Sequence, residues 1–445
     1  MAGANVNAIG CYQRSHIYDC VGVGQTPNNH RSLGLHCFPD YEEGKLSMSN
    51  DGFWDSPEGR ACRTMWRELT TARGVVATRP RAKGSGGVAQ ERALIAAAAE
   101  EFERAYRGGG WPRRRADVAL DVWAVSTRDA PQPQNFAKRL LDQLGPARGK
   151  PIVYQDDRQV SMLYVRVDEV ASADPQIYFA AQRSALIRSE MRRRPGDDDR
   201  AELYRDRQRD LDERLEAAEE AIADWRDDTS EIGKKLYAMG RRSQRFYLQA
   251  SVLHATDHLA QSLINEYASV PPRYPEPFLD LTAEALDRLA SMPYAFGLGT
   301  LPSRGETEAF EVGVQATVRD RITRFPSLFP TEIPVGVTAF FVPGPDGKDL
   351  DNILRQLFLP VLLRQCHLPR ELRHPYASLE DDFFAADGPT IGPPHVVFVE
   401  GIALKGVPRP PGTVVVALSD GQRHHSWWQK AIDREGDGDQ RSYWY

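Results

Sequence analysis

Two stretches decide how this chain is read: VALDVWAVSTRDAPQPQNFAKRLLDQL at 118–144 and VGVTAFFVPGPDGKDLDNILRQLFLPV at 335–361. They lie 217 residues apart and align without a gap. In each, a run of alternating apolar residues reads as a strand, a Gly/Pro/Asp-rich turn follows, and an amphipathic helix begins. Val118 falls on Val335, Leu120 on Val337 and Val122 on Ala339; at the helix start Asn135 falls on Asn352. Lys138 then meets Arg355 and Leu140 meets Leu357. The same offset carries the Ala-rich helical pattern of 91–106 onto 308–323, with Arg104 on Arg321. Two diverged copies of one domain are the simplest account of so long an ungapped match.

Working outward, 66–172 gives the order helix, strand (116–125), helix (135–144), strand (160–167), which suits a compact α/β or α+β domain. A second such domain is expected over 271–410, closing on the strand 395–400. Between them, 173–270 reads as a helical insertion. Residues 197–235 hold 15 acidic and 8 basic residues. Leu211, Leu215, Ala218, Ile222, Trp225, Thr229, Ile232, Leu236 and Met239 form a heptad-like seam there. A second apolar helix carries Phe246, Leu248, Val252, Leu259, Leu263 and Tyr267. The pair predicts an antiparallel hairpin ending at the prolines of 271–277, a spacer or an arm for self-association or a partner protein through 197–267. Residues 1–65 show no sustained periodicity and read as a weakly ordered leader, with Met48 or Met65 as possible functional starts. Residues 411–445 form a tail in which His424, His425, Trp427, Trp428 and Tyr443-Trp444-Tyr445 either stack on bases or, as we expect, dock on the core.

The 445 residues carry a net charge of −6. That balance argues against a uniformly basic nucleic-acid coat, but it averages unlike parts. The segment 197–235 contributes −7, whereas 60–115 holds 13 Arg and Lys against 5 Glu. Arg73, Arg79, Arg81 and Lys83 in a Gly/Ser-interrupted loop, and Arg113-Arg114-Arg115 before a strand, suit a phosphate backbone or a solvated basic face. The lack of an apolar run long enough to span a bilayer excludes a transmembrane helix at this level, and without a secretory pattern the expected location is cytoplasmic. Cys11, Cys20, Cys37, Cys62 and Cys366 are too sparse and oddly numbered for a disulfide framework, and their spacing suits ordinary thiols better than zinc.

The residues best suited to chemistry are Asp349 and Asp351 in Asp349-Leu350-Asp351-Asn352. Carboxylates two apart in an extended segment point to one side. Such a pair suits Mg²⁺, with Mn²⁺ as an alternative, bound by one or two carboxylates while its waters face a phosphate substrate. Arg355, one turn into the following helix, is placed to contact that phosphate. A helix N-cap at Asp351 or Asn352 is the plainer alternative.

Taken together, these motifs resemble the RusA-like Holliday junction resolvases, whose pattern is a strand, a D-x-D-N-x-x-K helix start, then a D-D pair before a further strand. The first copy matches through Asn135, Lys138, Asp142 and Asp156-Asp157 but carries Gln132 and Gln134 where the pattern has acids. The second keeps Asp349, Asp351 and Asn352 and replaces the Lys by Arg355. Its third acid is Asp381 or Asp382, about thirty residues on, or Asp387 in another register. The resemblance implies tandem RusA-like domains and a Mg²⁺-dependent, structure-selective endonuclease acting on branched DNA. Asp349, Asp351 and Asp382 (or Asp381) would be the metal ligands, and Arg79, Arg81, Lys83, Arg113, Arg114, Arg115 and Lys138 the DNA contacts. The alternative is a catalytically degenerate DNA-binding or assembly protein on the same frame, part of a multi-protein DNA-processing or defence system.

Overall fold

The computed structural model describes residues 71–82, 95, 99, 103, 116–126, 130–145, 152–169, 174–191, 231–270, 275–301, 307–329, 331, 333–344, 359–360, 396–421 and 424–433. A compact unit runs from Trp54 to Tyr445. Its strands are β1 (Ala72–Val76), β2 (Val118–Ser126), β3 (Val160–Glu169), β4 (Gln176–Arg183), β5 (Ala295–Thr300), β6 (Val335–Phe341), β7 (Val396–Ala403) and β8 (Thr413–Asp420). The helices are α1 (Pro133–Leu144), α2 (Ser184–Met191), α3 (Glu231–Ala268), α4 (Glu276–Ser291), α5 (Thr307–Arg324) and α6 (Trp427–Asp433). Ile95, Ala99 and Glu103, the described residues of 91–106, are helical as well.

Among the described residues the strands form one mixed sheet in the order β1-β4-β2-β3-β7-β6-β8-β5. Read inward from either edge, the order is the same. β1 and β5 are edges, β4 and β8 pair antiparallel with them, and the next strand, β2 or β6, lies parallel to β3 or β7. Antiparallel pairing of β3 with β7 joins the halves. The register makes the relation a local two-fold. Leu120 pairs with Leu163 and Val337 with Val399, so Leu163 and Val399 are equivalent. Across the join Leu163 faces Gly401 and Val165 faces Val399, with Tyr164 opposite Glu400 between them. Even the irregularity repeats, since the parallel ladders slip just after Val118 in one half and just after Val335 in the other.

Alternation along the central strands sends residues to two cores. Leu120, Val122, Leu163, Val165, Val337, Val399 and Val416 meet Phe136 and Leu140 of α1 and Val314 and Val318 of α5 on one face. Met162, Tyr164, Phe340, Phe398, Ile402 and Ala417 meet Ile187 of α2, Leu263 of α3, Leu286 of α4 and Trp427 of α6 on the other. Both faces of the central strands are covered, which is why β6, β7 and β8 read as nearly unbroken apolar runs. At Gly336 a Cβ would lie 2.0 Å from the Phe398 ring, so only glycine admits that ring against the sheet.

Three expectations are corrected. The segment 173–270 is not wholly helical: β4 and α2 lie within it and complete the first half's sheet. The turn expected between Met239 and Phe246 is absent, because α3 runs unbroken for 38 residues. Gly233 and Gly240 are the only weak helix formers of their kind there and no proline interrupts it, so the cost, about 1 kcal/mol per glycine, does not end the helix. Finally, the segment expected as a tail carries the regular elements β8 and α6, while Trp427 and Trp428 dock in the core as expected. The seam from Leu211 to Thr229 and residues 1–65 lie outside the described residues. Among those described, no helix is long and apolar enough to cross a membrane.

Candidate functional site

The predicted acids Asp349, Asp351, Asp381 and Asp382, with Arg355 and the alternative Asp387, lie outside the described residues, as do Lys83 and Arg113 to Arg115. The geometry available is that of their first-half counterparts around α1. Gln132 occupies the N-cap position of α1 without a side-chain cap, Pro133 opens the first turn, and that turn holds no acid. Proline suits this position because its missing N–H would have no helical partner. Gln134 is 5% exposed. Its side-chain carbonyl oxygen accepts no hydrogen bond among the described residues.

One turn on, the Lys138 ammonium lies 3.3 Å from the Asp142 carboxylate and 3.9 Å from that of Asp157. The structure therefore brings Lys138 and the second member of the D-D pair together. Asp156 is used differently. It accepts from the Arg158 N–H, while Gln159 accepts from the Gln155 and Asp156 N–H groups and donates to the Ala116 carbonyl. This capping box orients the entry to β3 and ties it to the residue group before β2. Tyr154 donates to the Leu141 carbonyl at 2.6 Å and fixes the same loop to the end of α1.

Two expected DNA contacts change. Lys138, only 8% exposed and ion-paired, is not an outward phosphate contact in this arrangement. Arg73 lies in β1 rather than in a loop. Arg79 is exposed and Arg81 half-buried, on the segment that follows β1. Arg139 donates to the Ala82 carbonyl at 2.7 Å, holding that basic segment against α1.

A second cluster was not anticipated. At the local two-fold, buried Glu400 of β7 and Asp257 of α3 face the two ring nitrogens of His424, at 2.9 and 2.5 Å. The Trp427 backbone N–H donates to the other Glu400 oxygen at 3.1 Å. Thr338 and Ser419 share a hydrogen bond of 2.9 Å beside it. Burial alone would depress the His424 pKa, but Asp257 and Glu400 outweigh it and push it up to about 9. For Asp257 burial pulls upward, and the His424 charge and hydrogen bond hold its carboxyl below the usual range. On β2, burial first and Glu400 second push Asp121 up to about 7, against the pull of Arg73. One Asp121 oxygen is buried without a hydrogen bond among the described residues. The clue was present: a lone acid in an apolar strand, Glu400 in 396–404 and Asp121 in 118–125, needs a partner or a proton. The His424 cluster is closed and paired, so its chemistry is to fasten α6 and α3 to the sheet.

Among the described residues no group of three or more His, Cys, Asp and Glu is arranged to hold a metal ion. Comparison of the chain with protein-family models, with curated proteins and with solved structures returned no match.

Proposed function

We propose that this chain is a Mg²⁺-dependent, structure-selective DNA endonuclease of the RusA-like type, working as a two-fold pair of domains within one polypeptide. The supporting observation is the sheet itself, in which the 217-residue repeat becomes two copies of one strand order joined antiparallel at β3 and β7. The position held by Gln132 to Asn135 at the start of α1 is, in the second half, Asp349-Leu350-Asp351-Asn352. Asp349 and Asp351, with Asp381 or Asp382, offer the anionic oxygens that Mg²⁺ requires, and the ion when bound would stabilise charge on the scissile phosphate. Arg355 would hold that phosphate, and exposed Arg79 would add a backbone contact.

The test is cleavage of four-way junction, flap, single-stranded and linear duplex DNA with Mg²⁺. Branched substrates are expected to be cut, and Asp351→Asn to abolish cutting while leaving junction binding largely intact. Undiminished Mg²⁺-dependent cutting by that variant overturns the assignment.

One observation favours a second reading, a non-catalytic DNA-binding or assembly protein on the same frame. The α1 site carries amides for acids and an ion pair between Lys138 and the remaining carboxylate. Junction binding with no cleavage under any divalent metal would select it.

A further inference from the structure

We infer that a branched DNA held by this chain is cut in one strand per binding event, because the half containing α1 does not take part in cutting. The inference rests on the endonuclease reading above. A two-fold protein with two equal sites would present one to each of two symmetry-related strands, and the sheet provides such a frame through its β3–β7 join. The α1 site is nevertheless unlike its counterpart in kind. Gln132 and Gln134 bring neutral amides where hard anionic oxygens are required. The carboxylate of Asp157 lies 3.9 Å from the Lys138 ammonium, which a cation bound there would have to face. Asp142 adds a second carboxylate to that ammonium at 3.3 Å. At the position corresponding to Asp142, 217 residues on, stands Leu359, buried in the core, so the second half offers no carboxylate there. Asp156 is engaged as a turn cap. The donors around α1 thus do not fit Mg²⁺.

Cutting one strand means one hydrolysis. A water oxygen bonds to phosphorus, one bond from phosphorus to a deoxyribose oxygen breaks, and the water proton is matched by the one the leaving alkoxide takes up. A plasmid reads the difference. An inverted repeat in a supercoiled circle extrudes a cruciform, and a single nick releases the superhelical tension and reabsorbs it. With the full-length chain in excess and Mg²⁺, nicked circle is the expected product. Linear plasmid as the main first-turnover product overturns the inference but leaves the endonuclease reading standing. An intact plasmid together with intact synthetic junctions overturns the reading itself, and the inference with it. Independently of activity, Mn²⁺ titration of the full chain followed by electron paramagnetic resonance is expected to lose all Mg²⁺-competable binding in an Asp349→Ala, Asp351→Ala double variant that melts like wild type. Retained competable binding would place a metal at α1 and overturn the inference.

Discussion

His424 is held between two buried carboxylates, Asp257 and Glu400, and its pH behaviour follows from these partners. Its folded pKa of about 9 exceeds the ordinary 6.5, so its stabilising share is complete below pH 6.5 and is lost as pH rises through 9. Asp257 is shifted the other way, so its share is present above the ordinary carboxylate range and is lost as pH falls through its lowered value. Both shares coexist from weakly acidic to neutral pH. His424→Ala leaves two buried carboxylates without their cation, and denaturant titration at pH 7 is expected to lose about 3–5 kcal/mol. Asp121 behaves oppositely. Its carboxyl is protonated in the fold up to about pH 7 but ionised in the unfolded chain above about 4, so it opposes folding increasingly as pH rises between those values. Asp121→Asn is therefore expected to raise the melting temperature at pH 8 and to have little effect near pH 4. A larger gain at pH 4 than at pH 8 would contradict the assigned shift.

At the scale of elements, the strands and helices of the repeat were legible and their neighbours were not. β2, α1, α5 and β6 each carry a period of their own, strengthened by recurring 217 residues away, whereas β3 and β7 were read from their apolar runs alone, their equivalent residues Leu163 and Val399 lying outside that offset. The strands β1, β4, β5 and β8 lacked that support. β4 alternates Ile177, Phe179 and Ala181, but its other face holds Tyr178 and Ala180, so period alone did not separate it from the helical segment beyond. β5 is interrupted by Gly297 and Gly299 where its register to β8 shifts, and glycines read as a turn. What selects these strands is the edge left by β2 and β6, a tertiary effect invisible in a local window. The same packing sets two tolerances. Gly336→Val must displace the Phe398 ring and is expected to destabilise by several kcal/mol or prevent folding, whereas at Gly297 a Cβ would meet, among the described residues, only Ala290 at 3.6 Å. Soluble yield and melting of Gly336→Val against Gly297→Ala separate a crowded site from an open one. Along α3, Gly240→Ala is expected to stabilise by up to about 1 kcal/mol if the helix is continuous in solution. A loss in thermal melting would instead indicate the turn that the heptad pattern suggested.

At the scale of the molecule, the two halves are bound by backbone hydrogen bonds as well as by side chains. The β3–β7 ladder runs from Met162 opposite Ile402 to Arg166 opposite Phe398, at the middle of the sheet. Its outer edges are short, β1 with five residues and β5 with six and a register shift. Short, irregular edges resist strand addition, whereas an uncovered β3 or β7 would be a long apolar template for it. The His424 cluster lies on this join and draws its members from α3, β7 and the segment after β8, so the second half closes over the point where the first half meets it. Co-expressing residues 54–215 and 216–445 as separate chains is accordingly expected to give a 1:1 complex that co-purifies, and either fragment alone to aggregate or self-associate. Widening the join should matter more than widening an edge. Val165→Pro puts a proline in the middle of β3, between β2 and β7, and is expected to abolish co-purification, while Val75→Pro, on the edge strand at a side chain 62% exposed, is expected to leave the complex assembled. Two fragments that fold as soluble monomers with no affinity for each other would show that the eight strands are not one sheet, and the two-fold frame on which the single-cut inference stands would fall with it.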